Sequence, residues 1–356
     1  MSGPCVCEQR RRSTVPAGDV ATAVSRLAGR WDALRGARVL VTGGTGFVGA
    51  WLLAALCCAD RRFDLGLRLM VLTRDPEGFA HHAPDLAGDA AVELIGGDVR
   101  DLPWPREAPT HVVHGAAATG PALVAERPAE VRESIVEGTR CVLELCRRRG
   151  TRRLVALSSG AVYAQPSRAG RPFCEDAPLG PAELVDDETV YHRAKRSMEA
   201  LVLAHEGDAV TSIARLFAFV GPGLPLDRHF AVGDFVAHAL RGGPVVVHGD
   251  GSPVRSYLYG ADLAAWLVAI LLGGRPARIY NVGAERAVSI AEVARLVADG
   301  AHVPLEIRGD ETGAGGGGAF YVPDTRRARS ELAVAEWTAL EDAIERWLVW
   351  ERCASA

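Results

Sequence analysis

The chain is predicted to fold as an α/β protein, a doubly wound parallel sheet with a smaller C-terminal lobe. Three observations carry that expectation. Short β-branched runs alternate with helical patterns through the first half. A glycine turn follows directly on the first run and opens a helix. After about residue 165 the rhythm loosens, with Pro and Gly rising over Gln165 to Pro181 and Gly221-Pro222-Gly223-Leu224-Pro225, as in loops laid over a site.

Arg38 to Thr42, a β-branched run bounded by glycines, predicts a buried strand. Phe47 to Ala59 has helical apolar spacing. Strands are expected at Leu67–Leu72, Val92–Ile95, His111–His114 and Leu154–Leu157, with a helix at Ser134–Arg149. Thr211–Leu216 is expected to return to the main sheet. The C-terminal third contains Pro244–His248, a helix at Ala261–Leu272, Ile279–Val282, a helix at Ser289–Ala298 and a glycine run, Gly313–Gly318. It reads as the smaller lobe. With no strand expected before it and no helix after it, the glycine run reads as a flexible loop.

The composition excludes several classes of protein. Of 356 residues, 48% are hydrophobic and 24% charged, which is globular. Forty Lys+Arg against 44 Asp+Glu give a formal charge of −4, unsuited to general electrostatic binding of nucleic acid or membrane. The longest apolar stretch, Ala261 to Leu272, is shorter than the ~20 residues a bilayer span needs. The first residues are polar and lack a secretory core, so a soluble cytoplasmic protein is expected. The eight cysteines are too sparse for a disulfide framework. Cys57, Cys58, Cys141 and Cys146 lie in apolar helical patterns, and Cys5-x-Cys7 is not metal spacing. His111 and His114 lack a third ligand and read as packing, so no metal is expected.

Gly43, Gly46 and Gly49 in Thr42-Gly43-Gly44-Thr45-Gly46-Phe47-Val48-Gly49 stand between strand and helix. Such a turn is tight, admits a pyrophosphate against the backbone, and offers helix N–H donors. A dinucleotide is expected there, on Gly43, Thr45, Gly46, Phe47, Val48 and Gly49. The second strand ends in Thr73-Arg74-Asp75. Arg74 favours NADP over NAD, whereas an inward-turned Asp75 would favour a ribose hydroxyl. Asp98, before Val99, is either an acceptor for the adenine amine or a helix N-cap.

Tyr191 and Lys195, four apart, share a helix face. A lysine charge lowers a phenol's pKa, and a phenolate can take a proton from an alcohol while hydride leaves for a nicotinamide. The lysine can also bond the nicotinamide ribose. Ser159, at a strand's carboxyl end, completes a proton-handling set.

With these motifs the chain resembles an extended short-chain dehydrogenase/reductase of the nucleotide-sugar epimerase/dehydratase type, a Rossmann-type fold. Further matching motifs are His114-Gly115-Ala116-Ala117, Ser158 to Tyr163, Arg215-Leu216-Phe217, Gly249 to Tyr257, Tyr259 to Leu263 and Tyr280 to Gly283. The resemblance implies a cofactor contact by Asp98, Val99, Ala116 and Ala117, and Ser159 on the reacting oxygen with Gly160 and Ala161 beside the sugar. It also implies Arg255 on the substrate diphosphate, Asp234 near the nucleotide base, and a homodimer through Ser134–Arg149 and Tyr191–His205. The expected organisation is an extension (1–36), a mainly dinucleotide-binding domain (37–220) and a mainly substrate-binding lobe (221–350), with some segments crossing.

The departures from the family pattern narrow the reaction. Dehydratases and decarboxylases of this type carry an acid just after the catalytic Ser/Thr, and here Gly160 and Ala161 hold no proton. An acid could arrive from elsewhere, such as Glu175 or His229. Ala218 and Ile135 replace asparagines of two further motifs. The sequence therefore favours C4 epimerisation of a nucleotide sugar, which needs no further acid. An NADPH-dependent 4-ketosugar reductase comes next, then a dehydratase with a relocated acid. A non-catalytic dinucleotide sensor is the alternative from another class.

Overall fold

The computed structural model describes residues 13–117, 121–163, 170–179, 189–226, 230–309 and 319–355. Seven parallel strands form the central sheet. They are β1 (Arg38–Thr42), β2 (Arg68–Thr73), β3 (Val92–Gly96), β4 (His111–His114), β5 (Arg153–Ser159), β6 (Val210–Leu216) and β7 (Arg278–Val282), in the order β7-β6-β5-β4-β1-β2-β3. The order reverses between β1 and β4, where Thr42 lies opposite His114. Their carboxyl ends therefore open a crevice at the switch point, the place where such sheets take ligands.

Helices cover both faces, which is why the strands are apolar on both sides. On one face lie α1 (Ala17–Arg26), α2 (Phe47–Phe63) and α6 (Gly260–Gly273), around buried Trp51 and Trp266. On the other lie α3 (Pro128–Arg149) and α4 (Thr189–Leu203), over Leu40, Val112 and Ile213. α3 begins six residues before its predicted start because Pro128 occupies a helix-initiating position, and it ends where Gly150 takes a left-handed conformation (φ 65°).

Three expectations are corrected. Ile279–Val282 belongs to the main sheet: α6 is a crossover helix, and Arg278 to Val282 pair in parallel with Ser212 to Leu216. Short apolar runs look alike wherever they pack. Within the expected extension, Val20, Val24, Leu27, Trp31 and Leu34 are buried in the main core. Tyr259 donates a 2.6 Å hydrogen bond to Asp19, which also pairs with Arg346. Finally, Cys353 is disulfide-bonded, although Cys57, Cys58, Cys141, Cys146 and Cys174 are free. Two sulfurs need only meet in space, which sequence spacing does not reveal.

Further elements complete the molecule. They include α5 (Ala231–Leu240), α7 (Ile290–Ala301), a strand pair Val245–Val247 with Leu305–Ile307, and a three-strand ribbon. In the ribbon, Val254–Arg255 lies between Val288–Ser289 and Phe320–Tyr321. Two strands, Leu305–Ile307 and Phe320–Tyr321, thus flank the glycine run, neither anticipated because two- and three-residue strands leave no periodic pattern. The run itself, Cys5 and Cys7 lie outside the described residues. Among the described residues no helix is long and apolar enough to cross a membrane.

Candidate active site

The glycine turn fits a dinucleotide. Gly43 has φ 75°, and a Cβ there would lie 2.6 Å from the Gly115 carbonyl carbon, so only glycine permits the turn to approach the loop after β4. Ala116 N–H donates to Thr42 Oγ1 at 3.1 Å, bringing Ala116 and Ala117 beside the turn. At Gly46 a Cβ would meet nothing nearer than the Gly43 oxygen at 3.9 Å, and α2 has no side-chain cap. The first N–H groups of α2, at Phe47 and Val48, are therefore open to an anion next to Thr45. A Cβ on Gly49 would collide with Gly44 at 2.4 Å, so it packs the helix onto its own turn.

At the end of β2, Asp75 caps the following short helix by accepting from Gly78 N–H at 2.8 Å. Its side chain does not turn inward. Arg74 is two-thirds exposed, and its one ion pair among the described residues is with Glu130, at 3.8 Å. Asp98 takes the cap role: it accepts from Arg100 N–H at 2.9 Å, and both its oxygens hold the Arg100 guanidinium, keeping its pKa below the ordinary range. Val99 is buried beneath it.

Ser159, Tyr191 and Lys195 come together at the end of β5 and the start of α4. Half-buried Tyr191 hydrogen-bonds Ser159. Lys195 Nζ lies 5.8 Å from the Tyr191 ring centroid and donates to the Leu157 carbonyl at 2.7 Å. One expectation about this pair is corrected. Burial raises the Tyr191 pKa, and the opposing influence is the Ser159 hydrogen bond. The ammonium is itself weakened, since burial lowers the Lys195 pKa to about 8 against the supporting charge of Glu199.

Glu199, one turn beyond Lys195, is a functional neighbour that the sequence reading missed. It accepts from Ser158 Oγ at 2.6 Å and forms a buried two-pronged pair with Arg215, Nε at 2.9 Å and Nη2 at 2.7 Å. The spacing Tyr191, Lys195, Glu199 would have put all three on one helix face. Arg215 stacks over Tyr163 at 4.8 Å, and Tyr163 donates to Asn281 at 2.6 Å. The Glu175 carboxylate accepts from Asn281 N–H at 3.0 Å and approaches Arg327 at 3.6 Å. It is committed to this support rather than relocated as a catalytic acid. His229 lies outside the described residues.

Arg255 spends one nitrogen on the Val254 and Ala319 carbonyls and lies 5.6 Å over the Tyr321 ring. Asp234 is in the first turn of α5. Gly160 and Ala161 form a tight turn after Ser159, whose Oγ accepts from Ala161 N–H at 3.1 Å. The two β4 histidines are structural. His111 contacts Thr110 Oγ1 at 2.9 Å, and His114 bridges Thr42 Oγ1 (2.8 Å) and Thr139 Oγ1 (3.1 Å), its pKa pushed down to about 3 by burial.

Comparison with known proteins gives the family. The sequence model of the NAD dependent epimerase/dehydratase family matches residues 39–283. Curated relatives include UDP-glucuronic acid decarboxylase 1 of Arabidopsis thaliana, 31% identical over 266 residues, covering 74% of this chain and 58% of that protein. Another is UDP-glucuronic acid decarboxylase 1 of Xenopus tropicalis, 30% identical and covering 73% and 59%. The chain thus spans under two thirds of these relatives' length. Similar solved folds include the UDP-glucose 4-epimerase of Thermotoga maritima (TM-score 0.75, 20% identity, 90% of this chain and 100% of that one). The dTDP-glucose 4,6-dehydratase of Streptomyces venezuelae is also similar (TM-score 0.75, 23% identity, 88% and 97%).

Proposed function

This chain belongs to the NAD dependent epimerase/dehydratase family, and on that premise we propose that it epimerises a nucleotide-diphosphate sugar at C4. The observation that carries the reading is Tyr191 hydrogen-bonded to Ser159 above Lys195, next to two residues that bear no acid. Bound at the glycine turn, a nicotinamide cofactor supplies a hydride acceptor and donor. Tyr191 removes the sugar hydroxyl proton while Ser159 holds the oxygen. The ketone turns over, and the same phenol returns the proton. Arg255 and Asp234 hold the sugar nucleotide, and Val99, behind the Asp98 cap, lies at the adenine end. The chain pairs with a second copy across a groove of about 630 Å³ lined by Arg132 and Val136 of α3 and Ala194, Ser197 and Leu201 of α4.

A second reading rests on Arg74. With Asp75 spent on a cap, that exposed guanidinium is placed to meet a 2′-phosphate, and NADP use favours a one-way 4-ketosugar reductase. Elimination of water or carbon dioxide has less support, because Glu175 is engaged elsewhere.

The test is the cofactor balance with UDP-, dTDP-, GDP- and CDP-sugars. Epimer formation without net change in reduced-nicotinamide absorbance is expected. Stoichiometric NADPH loss would replace this reading by the reductase, and a 4-keto-6-deoxy product by the dehydratase. Tyr191→Phe is expected to lower turnover by ~10²–10⁴ and to spare cofactor affinity; a fully active variant overturns the assignment.

A further inference from the structure

His114 is buried and titratable, and the proposed chemistry does not use it. It stands at the carboxyl end of β4, directly opposite Thr42 on β1. Thr42, His114 and Thr139 of α3 are each 1% exposed or less, so their polar hydrogens must find partners inside the protein. His114 Nδ1 lies 2.8 Å from Thr42 Oγ1, and its Nε2 lies 3.1 Å from Thr139 Oγ1. The far end of this string has a fixed direction. Thr139 Oγ1 donates to the Ile135 carbonyl, one turn back along α3, at 2.6 Å.

A hydroxyl has one proton to give. Thr139 spends its own on the helix, so it can only accept from the imidazole, and the ring hydrogen sits on Nε2. A neutral ring then presents a lone pair at Nδ1, which takes the Thr42 proton. Thr42 Oγ1 keeps its lone pairs, and Ala116 N–H donates to one of them at 3.1 Å. We propose that His114 is a positioning residue for the dinucleotide. As the Nε2–H tautomer it draws the Thr42 proton inward and leaves an oxygen lone pair for Ala116 N–H, which holds the loop after β4 against the glycine turn. This inference rests on the reading of that turn as the dinucleotide cradle.

The surroundings support that assignment. The opposite tautomer would set a bare Nε2 against a Thr139 oxygen with no proton to offer. A doubly protonated ring is opposed by burial and by Lys195, the charged group facing it, which push the His114 pKa down to about 3. The loop has little room to shift, since a Cβ on Gly43 would lie 2.6 Å from the Gly115 carbonyl carbon and 2.8 Å from Ala116 N. Gly115 N–H donates to the Thr42 carbonyl at 2.9 Å. Thr42 therefore holds both residues that follow His114, one through its backbone and one through the hydroxyl that the imidazole orients.

The experiment uses the full chain with isotope-labelled histidine, and NAD and NADP as probes. The His114 nitrogen resonances are assigned by their loss in His114→Gln or their displacement in Thr42→Ser. They are expected to show a protonated Nε2 and a bare Nδ1, without titrating between about pH 5 and 8. A protonated Nδ1 overturns the proposal. This readout is taken on the parent chain, so it stands even where a variant does not fold. Thr42→Val keeps the side-chain shape and removes the oxygen. It is expected to weaken direct binding of the preferred dinucleotide about tenfold, the scale of one lost buried hydrogen bond. Thr42→Ser restores the oxygen and is expected to bind within about twofold of the parent. A folded valine variant that binds as the parent does, or a serine variant as weak as the valine one, overturns the positioning role. If the parent itself binds neither dinucleotide, the cradle reading fails and this inference fails with it.

Discussion

Lys195 shows at single-residue scale how a site can work against its own fold. The ammonium is buried, its nearest acceptor is a carbonyl, and its pKa falls from 10.5 to about 8. That depression corresponds to about 3 kcal/mol of lost stability. The folded state binds the proton less well than the unfolded state, so the cost is fully present below pH 8 and is relieved as pH rises from 8 to 10.5. Lys195→Met is therefore expected to gain on the order of 1–2 kcal/mol at pH 7, after loss of the Leu157 bond, and to lose that advantage by pH 10. Denaturant titrations at both pH values check this; a variant less stable than the parent at pH 7 contradicts it. At this scale, the sequence was informative where chemistry depends on spacing. Tyr191, Lys195 and Ser159 were legible as a set, and so was the glycine turn. The competition at Asp75 and Asp98 was not, since capping and ligand contacts call for the same residue types and only geometry separates them.

At the scale of elements, α4 is tied to the sheet by Glu199, which joins Ser158 on β5 to Arg215 on β6. The pair is almost wholly enclosed, with side-chain exposures of 2% and 4%, so removing one partner strands the other charge. Glu199→Ala is expected to destabilise the protein by about 3–5 kcal/mol, seen as a lower unfolding midpoint, and to reduce turnover by loosening the Tyr191 helix. A change below about 1 kcal/mol would mean that the pair is not a brace. Strands and long helices were legible from periodicity, because each must bury a face for its whole length. The ribbon that delivers Arg255 and Tyr321 was not, since its strands are two residues long and owe their existence to one another.

Across the whole molecule, the first described helix closes the structure. α1 and the turn Trp31–Leu34 bury Val24, Trp31 and Leu34 against the core, Arg30 donates to the Leu332 carbonyl, and Asp19 joins Tyr259 to Arg346. A chain beginning at residue 37 is expected to melt lower by on the order of 10 °C or to be recovered unfolded. A truncated chain melting within about 2 °C of the parent would show the segment to be an appendage. Its docking was not legible: the segment reads as an extension, and nothing in the sequence said what its apolar residues would pack against.

The pairing of Tyr321 with Arg255 also sets an order in time. Synthesis proceeds from the N-terminus, so Ser159, Tyr191 and Lys195 leave the ribosome more than a hundred residues before Tyr321. A nascent chain can thus close its glycine turn and assemble its sheet before the strand that pairs with Val254–Arg255 exists. A product released early would retain the nucleotide cradle without the completed ribbon.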